Sequence, residues 1–87
     1  MRPEDLIATT LEYEPGRNTT LSRAFKTAKI VAEGDGSDLP LTPTEYLRLL
    51  ESHGYDVFVN DDGYTALRDT GIPRDVRFTY LRRDRAS

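Results

Sequence analysis

Few side chains here suit covalent or acid–base chemistry. His53 is the one histidine, and the chain has no cysteine. His53 stands just before Gly54, at the end of an apolar-periodic stretch, where an imidazole meets the negative end of a helix. No second histidine is available to share a proton with it. Ser22, Ser37, Ser52 and Ser87 show no histidine–acid partnership of the kind that activates a nucleophile. The stretch GDGSD (34–38) has the acids of a cation loop. It lacks the full spacing and the distant bidentate glutamate of a calcium site, and a solvated turn accounts for it. NDDG (60–63) is accounted for by a hairpin turn. There is no G-x-x-x-x-G-K-[ST] phosphate loop and no Cys/His cluster. These residues predict a non-enzymatic protein: no catalytic residue, no metal, no cofactor.

The chemistry that remains is charge. The formal net charge is −3, but it is unevenly spread. Residues 1–32 carry five bases and four acids. Residues 33–62 carry eight acids (Glu33, Asp35, Asp38, Glu45, Glu51, Asp56, Asp61, Asp62) against Arg48 alone. Residues 63–87 carry six arginines against three aspartates. A bulk nucleic-acid binder is usually basic overall, and this chain is not. Its C-terminal third is. The leading expectation is a small regulatory or accessory protein contacting nucleic acid through Arg68, Arg74, Arg77, Arg82 and Arg83, by neutralising phosphates. The alternative is a protein-binding module or inhibitor. It would place the acidic 33–62 segment, with Glu51, Asp56, Asp61 and Asp62, against a basic partner surface.

Those charges must be held by local structure. Pro3, Glu4 and Asp5 make a helix start, since proline needs no partner for a missing N–H and acids suit the positive helix end. The pattern predicts a helix over 3–13, stopped by Pro15-Gly16. Asn18 or Thr19 can cap a second helix, with Leu21, Phe25, Ala28 and Ala32 at helical spacing and Gly34 at its end. In LTPTEYLRLLESHG, Thr42 and Glu45 have capping-box spacing, and Tyr46, Leu47 and Leu50 share a face. That predicts a third helix over 43–53. YDVFVNDDGYTALRD predicts a β-hairpin, 55–59 against 64–68, turning on Asp62-Gly63 and pairing Val59 with Ala66 and Phe58 with Leu67. Alternation of Val76, Phe78 and Tyr80 with Asp75, Arg77 and Thr79 predicts a third strand over 75–82, although Pro73 also suits a helical first turn.

The sum is one α+β domain over 1–87, with two N-terminal helices, a third at 43–53 and a three-stranded antiparallel meander. A frayed tail is expected from about residue 83. The element order resembles a winged helix, and LPLTPTEYLRLL is similar to the opening of the winged-helix output domain of bacterial response regulators. The stretch TALRDTGIPRDVRFTYL resembles the helix-turn-helix of bacterial regulators, with TGIP as the turn. There the apolar residue usually found six positions after the glycine is replaced by Arg77. No apolar run approaches the ~20 residues of a membrane span, and MRPEDLIATT lacks a signal-peptide core. With no cysteine, a cytoplasmic location is expected.

Overall fold

A computed structural model of the chain describes residues 2–81. Helix α1 runs Pro3–Thr10, with proline in its first turn beside Glu4 and Asp5. It is shorter than the predicted 3–13. The β-branched pair Thr9-Thr10 loses rotamer freedom in a helix and weakens the last turn. Leu11 then leaves helical geometry (φ −130°, ψ 144°) and remains buried. The chain continues extended as β1 (Glu12–Tyr13), which pairs antiparallel with β5 (Thr70–Gly71).

After a turn at Pro15-Gly16, β2 (Thr19–Thr20) leads directly into α2 (Leu21–Gly34). The helix is capped by Thr20, not by Asn18 or Thr19; the Thr20 hydroxyl accepts from the Arg23 N–H at 3.2 Å. Small residues Ala24, Thr27, Ala28 and Ala32 line its buried face with Val31, so neighbouring helices can approach closely. Helix α3 (Pro43–Ser52) forms as its capping box dictates. Thr42 accepts from the Glu45 N–H at 3.2 Å, and Glu45 accepts from the Thr42 N–H at 2.9 Å. Tyr46 and Leu50 are its buried anchors, and Tyr46 meets Phe25 of α2 edge-to-face, ring centres 5.4 Å apart.

The hairpin is present as β3 (Val57–Val59) and β4 (Thr65–Leu67), but its register differs from the predicted one. Phe58 lies opposite Ala66, Val59 opposite Thr65 and Val57 opposite Leu67. The cause is Asn60. Its side-chain oxygen accepts from the N–H groups of Asp62 and Tyr64 at 3.0 and 2.9 Å, and its own N–H reaches the Tyr64 carbonyl at 2.8 Å. The loop is therefore Asp61-Asp62-Gly63, three residues ending on Gly63 at φ +84°. A two-residue type I′ turn needs positive φ at Asp62 as well, and Asp62 does not have it.

The predicted third strand over 75–82 is not there. Arg74–Val76 is a short helix, α4, and Arg77–Leu81 continues it as a wider π-helical turn. Tertiary packing overrides the alternation. Val76 and Tyr80, four apart, turn inward to the core, while Phe78 is 49% exposed. Gly34 allows this, because a Cβ there would come within 2.7 Å of the Tyr80 ring. The sheet's third strand is instead β2, giving the antiparallel order β2-β4-β3. The core joins Leu6, Ile7 and Leu11 to the α2 face, Tyr46, Leu50, Leu67, Ile72 and Val76. The architecture is thus α+β, with helices and two small antiparallel sheets around that core. No helix among the described residues is long and apolar enough to cross a membrane.

Candidate functional site

Of the five arginines expected to meet nucleic acid, the three among the described residues make different contacts. Arg68 follows β4 and is engaged within the fold. Its Nε lies 3.1 Å from the Asp56 carboxylate, its N–H donates to the Asp56 carbonyl at 2.8 Å, and its guanidinium lies over the Phe58 ring at 4.4 Å. Arg74 stacks over the Phe78 ring at 5.4 Å. Arg77 is half-buried and lines a cavity that includes neither Arg68 nor Arg74. Arg82, Arg83 and the tail expected from about 83 lie outside the described residues.

The acidic set divides differently. Asp56 is held by Arg68. Glu51 is exposed near the end of α3, and Asp61 and Asp62 are exposed at the hairpin turn. None of these three carboxylates has an ion pair or hydrogen bond among the described residues. Val59 and Tyr64 flank the turn and are 66% and 63% exposed. An acidic tip with an apolar and an aromatic neighbour is thus built on one hairpin, directly downstream of α3. Glu45, on the same helix, is committed to the cap. The Thr42 backbone hydrogen bond, then the Thr42 side chain, hold its carboxyl below the usual range, and Arg48 adds to that.

His53 caps the C-terminus of α3, exposed, with its backbone N–H directed to the Leu49 and Leu50 carbonyls. Among the described residues, no group of three or more His, Cys, Asp and Glu gathers where it could hold a metal.

Sequence reading missed a basic cavity. It measures ≈ 320 Å³ and is lined by Arg17, Asn18, Thr19, Thr20, Arg23, Ile72 and Arg77. Its first wall is the 14–20 segment, fixed to the start of β5 by long-range bonds. Thr70 N–H donates to the Arg17 carbonyl at 2.8 Å, Thr19 Oγ to the Thr70 carbonyl at 2.8 Å and Gly16 N–H to the Asp69 carboxylate at 2.9 Å. The second wall is the first turn of α2, and the third is Arg77. Glu14 holds Arg17 through Nε at 3.2 Å. The Arg77 Nε is buried and has no hydrogen-bond partner. Three cations separated by as many as sixty positions leave no local signal; only the pairing of residues 17–20 with 66–70 brings them together.

Comparison with known protein families, with curated proteins and with solved structures finds no match.

Proposed function

We propose that this is a small non-enzymatic regulatory or accessory protein of the cytoplasm that works by docking on a basic protein surface through the tip of the β3–β4 hairpin and the end of α3. One observation carries the reading: Glu51, Asp61 and Asp62 are exposed and unpaired among the described residues, and exposed Val59 and Tyr64 flank the turn that carries Asp61 and Asp62. Unpaired carboxylates steer association with a cationic partner, and tyrosine is enriched where proteins meet.

The helix order and the β2-β4-β3 sheet support a winged-helix-like arrangement, in which α3 would stand where a recognition helix stands. Such a helix enters the major groove between phosphates. Here the outward residues of α3 include Glu45 and Glu51 against Arg48, and the turn after β3 adds Asp61 and Asp62. Those charges oppose a polyanion. The same placement suits a basic protein face, including one that otherwise holds nucleic acid.

The test is capture from native-host extract with and without nuclease, comparing wild type with the Glu51→Lys, Asp61→Lys, Asp62→Lys triple variant. A stoichiometric, nuclease-resistant protein lost by the triple variant is the expected result. Capture abolished by nuclease, or unchanged in a folded triple variant, overturns the reading.

A further inference from the structure

We propose that the cavity between the 17–20 segment, the start of α2 and Arg77 is a binding site for a phosphate group, separate from the protein-docking surface. Arg17, Arg23 and Arg77 line one hollow of ≈ 320 Å³, and no carboxylate lines it with them. That volume lies at the small end of the ~300–1,000 Å³ typical of small-molecule sites. Glu14, outside the lining, pairs with Arg17 at 3.2 Å, whereas Arg23 and Arg77 have no ion pair among the described residues. Like charges so gathered repel each other. Guanidinium groups present a planar fork of donors matched to phosphate oxygens.

Two further features point the same way. The Arg77 Nε is buried with no acceptor. A donor on a charged group withdrawn from water and left unpaired is costly, and a rotation of the Arg77 side chain, which lines the hollow, would bring it to an incoming oxyanion. Second, the first turn of α2 holds no acid and instead carries Arg23. The positive end of a helix ordinarily favours an anion, so a cation there is unfavourable until one arrives. The Thr20 hydroxyl caps only the Arg23 N–H. The Leu21 and Ser22 N–H groups, at the first two helical positions, have no acceptor within the helix. They lie between the lining residues Thr20 and Arg23, where the positive dipole of the helix start adds to the arginines. Asn18, Thr19 and Thr20 add polar wall, and Ile72 gives one apolar patch. The site is held in shape by the bonds from Thr19 and Arg17 to Thr70.

The phosphate has two possible sources, a small phosphorylated molecule or a nucleic-acid backbone. Amide and arginine Nε NMR signals are followed while chloride is replaced at constant ionic strength by inorganic phosphate, then by adenosine monophosphate. A third titration adds a short DNA duplex. Saturable shifts are expected at Leu21 and Ser22 and at Nε of Arg17, Arg23 and Arg77. Arg23→Gln, an exposed substitution, should weaken the binding about tenfold or more, as for loss of one charge-assisted hydrogen bond. Arg77→Gln should do the same. Duplex binding that inorganic phosphate competes away and Arg23→Gln weakens assigns the group to a nucleic-acid backbone. Phosphate or nucleotide binding without duplex binding assigns it to a small molecule. No saturable shift with any of the three, or binding left intact by Arg23→Gln, overturns the proposal without touching the protein-docking reading.

Discussion

Tyr46 lies at the centre of the core with its hydroxyl buried and without a hydrogen-bond partner. Burial pushes its phenol well above the ordinary range, and neighbouring Tyr55 adds to the rise. Thr10 offsets a part, although its hydroxyl is already donated to the Leu6 carbonyl at 2.5 Å. An unsatisfied buried hydroxyl costs about 1–3 kcal/mol. Tyr46→Phe keeps the ring and its contact with Phe25 and should therefore leave stability unchanged or raise it by about 1 kcal/mol, read from urea unfolding. A loss of that size would show that the hydroxyl has a partner. The raised pKa also has a sign. The folded state holds the proton more tightly than the unfolded chain, so Tyr46 stabilises fully below the ordinary tyrosine range and that contribution is lost as pH rises through the folded value. Wild type should lose stability on alkaline titration above about pH 10, and Tyr46→Phe should lose less. Asp69 is a second marked residue. It sits at φ +51°, where aspartate is tolerated better than most residues, and it receives the Gly16 N–H and donates its own N–H to Asn18. It thereby fixes the wall that carries Arg17.

At the scale of elements, α3 was the most legible because its signals are local. Thr42, Pro43 and Glu45 define its start within four residues, and Gly54 at φ +85° ends it. Thr42→Ala should cost about 1 kcal/mol in chemical denaturation, the usual loss for a cap. The hairpin was legible as a hairpin, but its register rests on one side chain, Asn60, whose competition with the two-residue turn cannot be seen in the Asp62-Gly63 pair alone. The strand expected over 75–82 failed because period two and a helical Val76–Tyr80 pair coexist in the same letters. What decided between them was Gly34, over forty positions away, which admits the Tyr80 ring. Strands β1, β2 and β5, at two residues each, have no periodicity to read. The acidic candidates were legible as a charge run, while the basic cavity exists only once those short strands pair. The correction at 74–81 has its own test. Tyr80→Ala should destabilise the fold by about 2 kcal/mol, as a half-buried aromatic does on truncation, and Phe78→Ser should lie within about 0.5 kcal/mol of wild type. A strand with Val76, Phe78 and Tyr80 on one buried face would make the two losses comparable.

Over the whole molecule, the arrangement of charge matters more than its sum. A formal net charge of −3 is too small to steer a partner by itself. The fold draws Asp56 and Arg68 together, so that their opposite charges largely cancel at long range, and it ties Glu45 to a cap. It leaves Glu51, Asp61 and Asp62 exposed, and on another surface it leaves three arginines around one hollow. The molecule therefore presents patches of both signs, and a test must separate placement from net charge. Glu51→Gln, Asp61→Asn and Asp62→Asn together bring the formal charge from −3 to zero. So do Glu4→Gln, Asp5→Asn and Glu12→Gln, at exposed positions away from the hairpin. If docking runs through the hairpin tip, the first set should slow association with the isolated partner by about tenfold at low salt, while the second changes it less than about threefold. The gap should close as the salt rises and the Debye length falls to about 3 Å near 1 M. Equal slowing by both sets would mean that net charge, and not the hairpin surface, guides the encounter.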